Sequence, residues 1–118
     1  MHALYLAFLN SWRGLVHGAR TERAVRLELM LLALGVPLAL LLGSGLWVRV
    51  ALVASLLLML AAEFLNTAVE KLCDHLHPAR HPKIGIVKDL ASAGTFSAQG
   101  IAALVWIAAL IERLSGQP

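Results

Sequence analysis

Three apolar runs, at about residues 27–43, 46–72 and 90–111, dominate this chain of 118 residues. Each has the length a helix needs to cross a hydrocarbon core of roughly 30 Å. Segments in lipid must satisfy their backbone polar groups internally, so the runs predict helices and an all-α fold. Composition agrees: 59% of residues are hydrophobic and 14% charged. A soluble domain of this size cannot hide that much apolar surface. We expect one integral membrane domain over residues 1–118, in which a surface helix precedes three transmembrane helices. The surface helix is read over about residues 4–18, where Leu4, Phe8, Trp12, Leu15 and Val16 recur at spacings of three and four.

Between these elements the punctuation is clear. Gly43-Ser44-Gly45 reads as a tight turn, and residues 74–88, with Pro78, Pro82, His75, His77, His81 and Gly85, read as a polar loop. Pro37 lies inside the first span, where lipid-embedded helices tolerate it. Arg20, Arg23 and Arg26 before Leu27 look like the charged start of a signal peptide. No small-residue cleavage pattern follows Leu42, so we expect the segment to be retained. One cysteine, Cys73, excludes an intrachain disulfide and a zinc-type cysteine cluster. The three loop histidines have no strong zinc spacing.

Orientation follows from positive charge. Arg13, Arg20, Arg23 and Arg26 precede the first span, and Lys71, Arg80, Lys83 and Lys88 lie between the second and third. Only Arg49 and Arg113 fall at the other end, so the N-terminus is expected on the cytoplasmic side and the C-terminus outside. Trp47 and Trp106 then fall near the outer interface, where indoles favour the headgroup level.

The second span carries the chemistry. Glu63, Asn66, Thr67, Glu70 and Asp74 share an arc of roughly 100° at helical pitch. A carboxylate inside a membrane helix costs about 3 kcal/mol on insertion scales, so two on one stripe call for a use. Glu22, Arg26 and Glu28 reach the same level from the first span, and Lys88 and Asp89 from the third. Carboxylate oxygens suit Mg²⁺, a lysine suits phosphate, and a carboxylate not engaged by metal can take a proton from a hydroxyl. Phosphoryl transfer needs that set. The glycine-rich phosphate loops of soluble kinases are absent from the sequence.

Glu63-x-x-Asn66-Thr67-Ala68-x-Glu70-x-x-x-Asp74 resembles the signature of the prokaryotic diacylglycerol kinase family. Trp12-Arg13-Gly14-Leu15, Thr21-Glu22-x-Ala24 with Arg26 and Glu28, and Lys88-Asp89-Leu90-x-Ser92-Ala93 fit the same pattern. The resemblance implies a homotrimer that transfers the γ-phosphate of MgATP to a lipid hydroxyl, in sites shared between subunits at the inner-membrane surface. It implies Glu63 as catalytic base and Glu22 and Glu70 as ligands of Mg²⁺ and nucleotide. Asn10, His81, Lys88 and Asp89 match ATP-binding positions. Trp12, Arg26, Glu28, Arg49, Glu63, Asn66, Ser92 and Trp106 match positions along the lipid path.

Departures bear on the lipid acceptor. Ala3 and Leu27 differ from residues found in many relatives, residues 19–23 are closer to the undecaprenol kinase branch, and Thr95, Ser97 and Gln99 make the third span unusually polar. Diacylglycerol is the expected acceptor, with undecaprenol the alternative. Two readings of other classes stand beside the kinase: a small cation-coupled transporter, since a polar stripe is also the mark of an ion path, and a structural subunit held by polar contacts between helices.

Overall fold

A computed structural model of the protein describes residues 1–116 as four helices. In chain order they are α1 (His2–Thr21), α2 (Arg23–Leu42), α3 (Leu46–Leu76) and α4 (Pro82–Leu114). The helices α2, α3 and α4 are each long and apolar enough to cross a membrane, and the described residues contain no strand. The all-α expectation holds, and the protein is a multi-pass membrane protein.

The long helices form an antiparallel bundle in which α3 is central, packed against both α2 and α4, while α2 and α4 barely meet. Most large side chains, among them Leu34, Leu41, Phe96 and Leu104, lie on the outside. Lipid surrounds such a bundle, so burying them would gain little. Association rests instead on close packing at small residues. Gly35 on α2 takes the side chain of Leu56 where a Cβ would sit, and Gly18 on α1 does the same for Phe64. Ala39, Leu52 and Ala109 knit the three long helices into a core near the 43–45 turn. Ser44 Oγ donates to Glu112 at 2.6 Å, which joins that turn to the end of α4.

Two boundaries differ instructively from the sequence reading. The surface helix extends over the whole of His2–Thr21, beyond residues 4–18. The polar loop shrinks from residues 74–88 to residues 77–81, because α3 runs on to Leu76 and α4 starts at Pro82. Pro82 opens α4 at a position where its missing N–H is no loss. The His81 imidazole caps the helix by accepting from the Lys83 N–H at 3.1 Å.

Candidate functional site

Two cross-helix contacts fix the register of α3 against α4. Lys88 Nζ pairs with Asp74 at one end, and the Trp106 indole N–H donates to Ser55 Oγ at 3.1 Å toward the other. The helices run in opposite directions, so Thr95 falls level with Asn66 and Thr67. On the other side of α3, Lys71 meets Glu22 and Leu56 meets Gly35, so Glu28 falls level with Glu63 and Phe64. One polar layer therefore crosses the bundle. It comprises Glu28 from α2, Glu63, Asn66 and Thr67 from α3, and Thr95 from α4, and every one of these is buried.

Within the layer, Thr67 Oγ1 donates to Glu63 Oε2 at 3.1 Å, one turn away on the same helix. Asn66 Nδ2 donates to Glu70 Oε1 at 3.1 Å. The i to i+4 pattern is what an α-helix imposes on a polar stripe. Among the described residues, three buried atoms, Glu28 Oε2, Asn66 Oδ1 and Thr95 Oγ1, have no hydrogen-bond partner.

Above the layer, at the basic end of the bundle, the acids become exposed. Glu70 is open to solvent. Glu22 lies between α1 and α2 and pairs with Lys71 Nζ at 3.0 Å. The hydrogen bond from Lys71 holds its carboxyl below the ordinary value of 4.5. Arg26 Nη1 donates to the Ala19 and Arg20 carbonyls, at 3.3 and 3.1 Å, and so closes the C-terminal end of α1. The interhelical loop forms a cleft of about 310 Å³ whose walls include His77, Arg80, His81, Lys88 and Asp89.

The structure thus gathers Glu28, Glu63 and Asn66 inside the bundle and sets Glu22 and Glu70 at its mouth. It brings His81, Lys88 and Asp89 to one cleft. Ser92 is exposed on α4. Asn10 and Trp12 lie on the exposed outer part of α1, and Arg49 lies at the far end of α3. Trp106 is half-buried with its N–H engaged by Ser55, so it faces into the bundle rather than anchoring at headgroups. Lys71, which pairs with Glu22, and Ser55, which accepts from Trp106, are contacts that the motifs do not mark. A lone hydroxyl in an apolar run is the available signal for Ser55.

No group of three or more His, Cys, Asp or Glu side chains capable of holding a metal alone occurs among the described residues. That donor set nonetheless fits Mg²⁺, which is usually held by one or two carboxylates and completed by substrate phosphates and water. Glu70 offers one carboxylate, with its Oε2 free of side-chain partners, and Glu22 offers a second at the same end of the bundle.

Carboxylates at the mouth, a basic cleft and a sunken acid, all toward one end of an apolar bundle, suit a membrane-embedded phosphotransferase. Residues 9–110 match the family model described as prokaryotic diacylglycerol kinase. The chain is 36% identical over 96 residues to the diacylglycerol kinase of Haemophilus influenzae, covering 81% of each. It is 33% identical over 96 residues to that of Escherichia coli strain K12, covering 81% of this chain and 79% of the relative. It is 33% identical over 101 residues to that of Pseudomonas aeruginosa, covering 86% and 82%. The chain belongs to the prokaryotic diacylglycerol kinase family, and it is a lipid kinase. Membership sets aside the transporter and structural-subunit readings.

Proposed function

We propose that this single membrane domain phosphorylates diacylglycerol to phosphatidic acid, with ATP as donor, at the cytoplasmic surface of a bacterial inner membrane. The observation that carries the reading is the placing of Glu63, buried and tethered by Thr67, about two turns below the exposed Glu70 on the same helix. A lipid hydroxyl reaches the bundle from the apolar side and a nucleotide from the polar side. Glu63 stands between them.

Glu63 accepts the proton of the primary hydroxyl as its oxygen bonds to the γ-phosphorus. The bond from that phosphorus to the bridging β-phosphate oxygen breaks, and ADP leaves. The Thr67 hydrogen bond fixes one carboxylate oxygen and leaves the other for the proton. Lys88, Asp89 and His81 in the loop cleft orient the nucleotide, together with Asn10. Glu22 and Glu70 would hold Mg²⁺, which, when bound, supplies charge neutralisation on the phosphate oxygens. Arg26, Glu28, Asn66, Ser92, Trp12, Trp106 and Arg49 are read as the lipid path.

Glu22 pairs with Lys71 of its own chain. We read the working form as a homotrimer with sites shared between subunits, as the family resemblance implies. The basic end faces the cytoplasm, which puts the N-terminus inside and the C-terminus outside.

Glu63→Gln tests the reading. The variant should bind MgATP with unchanged affinity and lose phosphoryl transfer to diacylglycerol by 10²-fold or more, on the order of what general-base catalysis contributes. Retained turnover would remove Glu63 from the role of base. A panel of diacylglycerol, undecaprenol and ceramide given to wild-type protein tests the acceptor.

A further inference from the structure

The polar layer contains one hydroxyl without a stated task. Thr95 is 8% exposed and its Oγ1 has no hydrogen-bond partner. Hydroxyls in helices ordinarily bond back to a carbonyl of the preceding turn. Three others here do so: Thr21 to His17, Ser55 to Leu52 and Ser97 to Ala93. Thr95 does not, although it lies two residues from Ser97 on the same helix. An unmade hydrogen bond in a dry interior is costly, so a group that arrives later gains by making it.

The layer's chemistry says what that group is. Glu28 Oε2 and Asn66 Oδ1, the other unpartnered atoms, are acceptors when the carboxyl is ionised. A ligand hydroxyl carries one hydrogen and so can meet one of the layer's acceptors, Glu63 among them. Thr95 is the member of the trio with a hydrogen to give, so it suits a ligand that also brings a carbonyl.

A groove lies one helical turn from it. One turn beyond the layer, a cavity of about 460 Å³ opens between α2, α3 and α4, with Leu31, Gly35, Met59, Gln99 and Trp106 among its walls. Leu31, Met59 and Gln99 lie three or four residues from Glu28, Glu63 and Thr95, on the same helix faces. The cavity is nearly all apolar, as a hydrocarbon chain requires, and is within the size range of lipid-like ligand sites.

We infer that Thr95 is a specificity-determining residue, whose hydroxyl donates to an ester carbonyl of a glycerolipid seated with its acyl chain in this groove and its free hydroxyl at Glu63. The inference rests on the diacylglycerol reading above and deepens it. A polyprenol has a hydroxyl but no ester, and so gains nothing from Thr95.

The test is a two-by-two comparison with full-length protein in mixed micelles. Wild type and Thr95→Val are each given diacylglycerol and a dialkylglycerol ether of the same chain length, which lacks the carbonyls. Wild type should lose roughly three- to tenfold in kcat/KM from ester to ether, the effect of one hydrogen bond. Thr95→Val should lose the same factor on the ester and match wild type on the ether, which also reports that the variant folds. Thr95→Ser should restore the ester preference. Equal losses on both lipids in Thr95→Val, or no ester preference in wild type, would overturn the contact and leave Thr95 a structural or water-bound residue. Wild type inert toward both glycerolipids but active on undecaprenol would overturn the diacylglycerol reading itself, and the ester contact with it.

Discussion

Glu22 is held by Lys71, which reaches it from α3, a distant part of the chain. The pairing favours its ionised form, so its folded-state value lies below the ordinary 4.5. A carboxyl depressed in this way stabilises the fold wherever the unfolded chain's carboxyl is also ionised, and loses that contribution as pH falls through the folded value. The contribution is therefore complete above about 4.5 and fades below it. Lys71→Met should lower the thermal midpoint at pH 7, and its midpoint should converge on that of wild type as the pH is taken into the acid range. A pH titration of both proteins by calorimetry checks this. The difference at pH 7 should be small, because the pair is solvent-accessible and such pairs are screened. Salt should reduce it further. The same contact explains why Glu22 had to be read with its partner. The family pattern marked the acid as a ligand but said nothing of Lys71, with which it pairs.

Gly18 decides how α1 attaches. A methyl group there would meet the Phe64 ring at 2.7 Å and Val25 at 3.3 Å, whereas one on Gly14 would meet nothing within 4 Å. Gly18→Ala should therefore cost about 1–3 kcal/mol through overpacking and loosen α1, seen as faster amide hydrogen exchange along residues 2–21. Gly14→Ala should leave α1 as protected as before. The helices themselves were legible in the apolar runs, and the buried stripe of Glu63, Asn66 and Thr67 was legible in its spacing, because a period of 3.6 forces them onto one face. Two things were not. The start of α4 was hidden, since Pro82 reads as a breaker from composition and as a first helical residue only once His81 caps it. The layer to which Thr95 belongs was hidden too, because its level depends on the register between α3 and α4. That register rests on Asp74–Lys88 and Ser55–Trp106, contacts more than a dozen residues apart in sequence.

The bundle as a whole is lopsided. Glu22, Glu70 and the loop cleft lie at one end, α3 is covered by α2 and α4 on two sides, and α2 and α4 hardly touch. Much of the apolar surface faces outward, as lipid or a second copy of the chain would require. Glu22 and Glu70 share an end of the molecule, but in one chain each is engaged elsewhere, Glu22 by Lys71 and Glu70 by Asn66. If cyclic symmetry brings Glu22 of one subunit to Glu70 of the next, the two acids can fail in separate subunits and still leave some sites whole. Glu22→Gln and Glu70→Gln should each be inactive alone. Co-assembled at equal amounts, they should recover roughly a quarter of wild-type activity, since random pairing around a ring sets intact beside intact at one shared site in four. Titrating the ratio of the two variants against the rate of diacylglycerol phosphorylation measures this, with separately purified and unmixed variants as the baseline. Recovery that peaks at equal amounts requires a site shared between chains. A mixture as inactive as its parts would mean that both acids serve a site within one chain, and Lys71 would then have to release Glu22 before the metal could bind.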